Sequence, residues 1–496
     1  MRRAAPVVLC LLVVAAASPT PSARAKRSAA LAQALAAVPG ERSLTAWVFF
    51  TDRGAAGRAG ATQGAGLLTP RARSRRSLRG RVTALTSDDL PLAAAYVGAV
   101  SAAVTRLRQQ SRWLNAVSVE ATPAQLQAVE ALPFVARLDV VRRYRRRDEE
   151  PVRPEPAHPA RKATPGARPR RGSVLAVDYG SSLGQLAQLG VPAVHEMGLH
   201  GEGVVVAVFD SGFNGLNHEV FSSLRILAAH VFVNGDEDVG DGSDLGEGSH
   251  GTETLSVLAG FQDGQLIGPA FASDVILAKT ENTASETPVE EDNWAAAAEW
   301  AESLGADVIS SSLGYLDYDS PFPSYGFADM NGQTAIGTRA AEMAAARGVV
   351  VVTSAGNSGF DAQHNTLGAP ADGAHVLAIG AVTSSGARAP FSSVGPTADG
   401  RVKPDFAAQG VSVKVALPGT VSRYGTASGT SFSCPLTAGV VALLLQLNPP
   451  ASPEDVAGVL RATASQAGMP DNLLGWGIIN ARAAALGWMP AAAALR

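Results

Sequence analysis

Residues 203–212 read GVVVAVFDSG. The run from Val204 to Phe209 is apolar without alternation, the pattern of a strand buried on both faces in a helix-covered parallel sheet. Asp210 ends it, so a carboxylate stands at the strand's carboxyl end, where such sheets form their sites; the competing reading makes it a turn or cap residue. Comparable runs recur as RILAAHVF (225–232), DVILAK (274–279), ADVISSS (306–312), GVVVVTS (348–354) and HVLAIGAV (375–382), all read as buried strands. Helical stretches such as EEDNWAAAAEWAESLG and TAIGTRAAEMAAARG separate several of them. The alternation predicts an α/β fold with a mostly parallel sheet flanked by helices, beginning at Ser173. No solenoid-type repeat is present.

A second stretch, GTSFSCPLTAGVV (429–441), bears on chemistry. Leu436 to Leu447 is nearly all apolar or small, as in a buried helix, whereas Pro435 lacks an N–H and is tolerated only near a helix start. The helix is therefore expected to open about a turn before Pro435, with Ser431 in its first turn, where unpaired N–H groups and the dipole favour negative charge. A serine there can act as a nucleophile; the competing reading makes Thr430 or Ser431 a plain N-cap. His250, in SHGTETLSVLAG, opens another helix and reads alternatively as a capping or surface residue. Asn357, in VVVVTSAGNSG, is either a turn residue or an amide donor to a developing oxyanion. An Asp, a His and a Ser at strand ends and helix starts, with an amide donor, are the parts acyl transfer requires.

With 496 residues, 46% hydrophobic and 17% charged, the chain can bury a large core beside a smaller one. A net charge of -3 gives no global attraction to nucleic acid. Residues 1–25, with Arg2 and Arg3 before an apolar run and Ala23-Arg24-Ala25 after it, read as a secretory signal peptide, cut after Ala25 or, second choice, after Ala17. Lipid attachment at Cys10 is disfavoured because it lies inside the apolar run. No later segment is read as a membrane span. Cys434 is then the single remaining cysteine, so no intramolecular disulfide is expected.

Between these ends lies a small α+β unit. SLTAWVFF (43–50), RWLNAVSVEA (112–121) and FVARLDVV (134–141) read as strands, and TPAQLQAVEAL as a helix capped by Thr122 with Pro123 in its first turn. From Arg142 to Gly172 the chain is rich in Arg, Pro and Glu, an exposed linker open to proteases.

These residues together resemble one family, the subtilisin-like serine peptidases. VAVFDSG resembles its aspartate motif, HGTETLSVLAG its histidine motif, SAGNSG its oxyanion motif and GTSFSCPLTAG its serine motif, in the family's order. ADVISSSLG, FSSVGP and GWGIINARAA are secondary matches, and the first folded unit is similar, more weakly, to the family's inhibitory propeptide. The resemblance implies Ser431 as nucleophile, His250 as general base, Asp210 as the group orienting it and Asn357 as oxyanion donor. It also implies that substrate pairs in extended form with Ser312, Leu313 and Gly314 and with Ser354, Ala355 and Gly356. Leu436, Ser211 and the run Thr254-Leu255-Ser256 depart from the family pattern without removing a catalytic group.

The expected organisation is a signal peptide (1–25), a propeptide (26–147), a linker (148–172) and a peptidase domain (173–496). The expected activity is that of an exported, extracellular or periplasmic, self-processing serine endopeptidase with a broad or apolar P1 preference. A narrow processing peptidase and a catalytically silent scaffold are the alternatives. Maturation is expected between Tyr144 and Ser173, with Arg170-Arg171 as one candidate. Expected partners are polypeptide substrates and the propeptide as an intramolecular inhibitor, with no nucleic acid and a monomeric enzyme. No cofactor is required for the chemistry. Metal ligands are not assigned: the acidic loop 235–248 reads as solvated or, less favoured, as a structural calcium site unlike an EF-hand. His218 reads as structural and Cys434 as a packing residue.

Overall fold

The computed structural model describes residues 26–37, 42–54, 65–82, 84–141, 152–155, 177–240, 248–281, 290–316 and 325–489. The segment expected to be a signal peptide (1–25) and the expected processing site Arg170-Arg171 lie outside the described residues.

The N-terminal unit is built on four antiparallel strands, β1 (Leu44–Phe50), β2 (Arg106–Ser111), β3 (Ala116–Ala121) and β4 (Val135–Val140), in the order β2-β3-β1-β4. Its helices are α1 (Ala29–Ala37), α2 (Pro70–Arg79), α3 (Ala94–Ala103) and α4 (Pro123–Glu130). At the start of α4 the Thr122 hydroxyl accepts the Gln125 N–H at 3.3 Å, while Gln125 Oε1 accepts the Thr122 N–H at 2.9 Å. The stretch 112–121 is not one strand. Asn115 has a φ of 51°, a left-handed conformation that asparagine tolerates better than most residues, and residues 112–115 form the turn that joins β2 to β3.

A short strand, β5 (Arg153–Pro154), precedes the larger unit. There follow β6 (Val205–Asp210), β7 (Arg225–Val231), a small hairpin of β8 (Phe261–Gln262) and β9 (Leu266–Ile267), β10 (Asp274–Lys279), β11 (Val308–Ser311), β12 (Val350–Ser354), β13 (Val376–Val382) and β14 (Phe406–Gln409). Apart from the hairpin, these strands form one parallel sheet, β14-β13-β12-β11-β6-β10-β7. β15 (Val413–Ala416) and β16 (Tyr424–Ala427) pair antiparallel, and β5 adds to the free edge of β16. Glu155, just past β5, donates its N–H to Tyr424 O at 3.0 Å and pairs its carboxylate with the buried Lys414 ammonium.

The helices of this unit are α5 (Leu183–Gln188), α6 (Val191–Glu196), α7 (His250–Ala259), α8 (Glu290–Leu304), α9 (Ile336–Ala346), α10 (Thr430–Leu447), α11 (Pro453–Thr463) and α12 (Ala481–Trp488). They cover both faces of the sheet, which is why its central strands read as unbroken apolar runs. From β6, Val206 and Val208 pack in one layer with Val352, Val440 and Leu444 of α10. Val205, Ala207 and Phe209 face the opposite layer, with Trp294 of α8 and Val351. That second layer continues into Trp47, Val48 and Val117 of the N-terminal sheet, so α8 and α9 are packed between the two sheets.

One run read as buried is not. β7 is an edge strand, with Ile226 and Leu227 39% and 44% exposed, because only one of its sides has a strand to pair with. Among the described residues α10 is the one helix long and apolar enough to cross a membrane, and it lies buried against the sheet.

Trp294 is fully buried, meets the Phe209 ring edge-on at 5.5 Å and donates its indole N–H to Ser311 Oγ at 2.9 Å. Trp294→Ala is expected to lower unfolding stability by about 3–5 kcal/mol, read as a shifted urea midpoint, because the layer cannot close over a cavity of that size.

Candidate active site

The polar cluster sits where parallel strands end and a buried helix begins. Asp210 is the last residue of β6 and is fully buried. Its Oδ1 accepts the Ser211 N–H at 2.7 Å and a hydrogen bond from His250 Nδ1 at 2.6 Å. A carboxylate only accepts, so His250 carries its proton on Nδ1 and presents Nε2 as the basic nitrogen. His250 is the first residue of α7, and its ring lies 5.7 Å from that of Phe432, the residue after Ser431. Asp210 Oδ2 accepts the Thr254 hydroxyl at 2.9 Å. Thr254 stands one helical turn beyond His250, so α7 supplies a donor to each of the two carboxylate oxygens, beside the Ser211 N–H.

Ser431 is the second residue of α10 and is buried. The N-cap is Gly429, which has no side chain to cap with, so the reading of Thr430 or Ser431 as a plain cap fails. Pro435 falls five residues after the first helical residue, deeper than the sequence suggested. Its missing N–H would have bonded the carbonyl of Ser431. That carbonyl instead accepts the Ser312 hydroxyl at 2.8 Å, and Ser431 Oγ in turn donates to Ser312 O at 3.3 Å. The proline is tolerated because the strand-end residue Ser312 takes over the vacated bond.

Asn357 follows β12 in the loop and closes the helix start from the other side. Its Oδ1 accepts the Thr430 N–H at 2.9 Å and the Thr430 hydroxyl at 2.8 Å. A backbone N–H must face the oxygen, which settles the orientation of the amide and turns its NH2 group away from Thr430. Leu313 O accepts the Ser354 hydroxyl at 3.3 Å, joining the ends of β11 and β12. Ala355 donates to Ile379 O at 3.0 Å, and Gly356 has a φ of 110°. A Cβ on Gly356 would meet Ser393 Oγ at 2.8 Å, whereas one on Gly314 would make only an ordinary contact, with Gly368 Cα at 3.9 Å. Thus Asp210, His250, Ser431, Asn357, Ser312, Leu313, Gly314, Ser354, Ala355 and Gly356 all gather at one edge of the sheet. Thr254, Thr430 and Pro435 were not read as parts of the site; the signal for Thr254 was its mismatch to the family motif.

His218 is structural in the sense expected: it caps a short 3-10 turn, Nδ1 accepting from Val220 N, and its Nε2 lies 2.9 Å from Arg423 O. In the acidic loop, Asp241 and Asp244 lie outside the described residues, and Asp236, Glu237 and Asp238 are exposed. No group of three or more His, Cys, Asp or Glu side chains among the described residues is arranged to hold a metal ion. Cys434 is buried, its thiol 3.5 Å from both Ser311 O and Val352 O, and burial pushes the thiol pKa up to about 12. In protein lacking residues 1–25, this thiol is expected to resist iodoacetamide at pH 8 while folded and to react fully after unfolding in guanidinium, as read by mass.

Residues 201–477 match the subtilase family (Peptidase S8), and residues 45–155 match the Peptidase S8 propeptide domain of Bacteroidota. Subtilisin NAT from Bacillus subtilis subsp. natto is 33% identical over 315 residues, 63% of this chain and 73% of that protein. Subtilisin Savinase from Lederbergia lenta is 32% identical over 300 residues, 60% of this chain and 97% of that protein. In fold, the chain is similar to fervidolysin from Fervidobacterium pennivorans, a keratinolytic enzyme related to subtilisin, with a TM-score of 0.61 at 22% identity over 92% of this chain and 63% of that one. With a parallel sheet, a helix-start serine and a propeptide-like unit all in place, the chain belongs to the subtilase family of serine endopeptidases.

Proposed function

We propose that the protein is an exported endopeptidase that cuts peptide bonds through an acyl-enzyme on Ser431 and is made as a self-processing zymogen. The observation that carries this reading is the 2.6 Å hydrogen bond from His250 to the buried Asp210 beside the helix start that bears Ser431. Ser431 Oγ attacks the scissile carbonyl while His250 Nε2 takes its proton; Asp210 keeps the imidazole in the required tautomer and stabilises its charged form. The carbonyl oxygen becomes an oxyanion held by the Ser431 N–H and the Asn357 amide. Collapse of this intermediate expels the amine, protonated by His250, and water then releases the acyl group by the same steps in reverse. No step calls for a cofactor.

Substrate pairs in extended form with 312–314 and 354–356, which reads main chain and leaves selection to pockets. The lack of a side chain at Gly314 and the uncharged Ser358 after Asn357 support a broad or apolar P1 preference. In this reading residues 1–25 are the export signal, 26–147 the inhibitory propeptide, 148–172 the linker and 173–496 the peptidase, with the maturation cut between Tyr144 and Ser173.

Intact mass followed over time, with casein hydrolysis in parallel, tests the reading on signal-free protein. Wild type is expected to shed its N-terminal unit and digest casein, and Ser431→Ala to stay full length and leave casein intact. If wild type processes itself but spares casein, the narrow processing peptidase replaces the broad one; if it does neither, the reading fails. Asn357→Ala is expected to lower kcat by ~10²–10³-fold with KM nearly unchanged, a magnitude carried over from the corresponding donor in subtilisin.

A further inference from the structure

Helix α2 carries five arginines in ten residues, the composition of a solvated surface helix, yet Arg75, Arg76 and Arg79 are buried. Most of their partners lie on the peptidase unit. Arg75 Nη1 donates to Ala306 O at 2.6 Å and Glu302 O at 3.1 Å, its Nε to Arg347 O at 3.3 Å, and its Nη2 pairs with the Glu302 carboxylate. Arg76 makes two bonds to that carboxylate, at 2.8 and 2.7 Å, and two to Asp89 within the propeptide, both at 2.9 Å. Arg71 donates to Gly305 O at 3.0 Å and Gly203 O at 2.8 Å, and together with Arg79 it pairs with Asp307. Burial lowers the Arg75 pKa to about 10, still charged at neutral pH.

These acceptors share an origin. The last carbonyls of a helix have no intrahelical donor and form the negative pole of its dipole. The propeptide caps those at the end of α8: Thr69 N donates to Ser303 O and Thr69 Oγ1 to Leu304 O, both at 3.0 Å, and the arginines take Glu302, Gly305 and Ala306. At the end of α9, Val82 N donates to Ala346 O at 2.8 Å. Asp307 N–H bonds Val205 O, and Asp307 Oδ2 accepts the Val205 N–H, both at 2.8 Å. The contact therefore lies at the first residue of β6, about 17 Å of strand away from Asp210 at the other end.

We propose that residues 302–307, with Gly203 and Arg347, form a docking site for the arginine-rich helix α2 that keeps the propeptide on the peptidase after the linker is cut, whatever occupies the catalytic cleft. The proposal rests on the zymogen reading above.

The test uses the full-length Ser431→Ala chain with a recognition site for a sequence-specific endopeptidase placed in the linker after Pro159. Adding that endopeptidase opens the linker without relying on the chain's own activity, and gel filtration over time measures loss of the N-terminal fragment. The fragment is expected to stay bound, and the Arg75→Gln/Arg76→Gln pair to release it on the order of 100-fold faster. If circular dichroism shows that this pair misfolds, Asp307→Asn on the peptidase side and Arg71→Ala at the rim, where Arg71 is 40% exposed, decide the matter, each with roughly 10-fold faster release. Release at the unsubstituted rate in the variants that fold, or immediate release with α2 intact, overturns the docking site. Failure of the zymogen reading would appear separately, as a wild-type chain that never cuts its own linker.

Discussion

The edge that carries the candidate active site depends on how a buried helix satisfies its own beginning. α10 runs through the core against the ends of several strands, so its first N–H groups are shielded from water and need acceptors from the protein. Gly429 at the cap position supplies none. The acceptor comes from Asn357, in a loop leaving β12, and the carbonyl freed by Pro435 is met by Ser312, at the end of β11. Capping the helix therefore draws two strand-end loops onto Ser431. The residues proposed to bind substrate and stabilise the oxyanion stand where they do because the helix must be closed there.

The opposite edge of the sheet obeys the same electrostatics with the sign reversed. In a parallel α/β sheet the crossover helices run against the strands, so their carboxyl ends collect where strands begin. α8 and α9 deliver their last carbonyls to that edge, together with Glu302 and Asp307, and the result is an acceptor-rich shelf beside the start of β6. The donor-rich edge suits an oxyanion, and the acceptor-rich edge suits guanidinium groups with their fixed fork of donors. One fold polarity thus accounts both for the place of the proposed catalytic cluster and for the arginines of helix α2.

The parts of this architecture legible in the sequence are those whose signal is local. Apolar runs ending in Asp210 or near Asn357, and a proline soon after Ser431, locate strand ends and a helix start from a few neighbouring residues. What escaped reading depends on distant partners. RARSRRSLR looks solvated because the groups that bury it, Glu302 and Asp307, are more than two hundred residues away. RLRQQS (106–111) looks too polar for a strand, yet Arg108 is fixed by Glu120 and Asp292, and Gln109 by Phe232 O and Asn293. The run at 225–231 errs the other way: composition records that Ile226 and Leu227 are apolar, but edge position decides that they face water.

Thr254 sharpens the point, because a mismatch to the family pattern turned out to be a contact. Thr254, which departs from the family pattern, stands one turn after the histidine, and its hydroxyl donates to Asp210 Oδ2 at 2.9 Å. A valine of the same shape has no proton to give. With Oδ1 engaged by His250 and the Ser211 N–H, and Oδ2 by Thr254, the carboxylate is fixed in plane before any substrate arrives. These three donors come from two places, the residue just after β6 and the first two turns of α7. The imidazole proposed to accept a proton is therefore oriented by the fold, and binding energy need not be spent on orienting it.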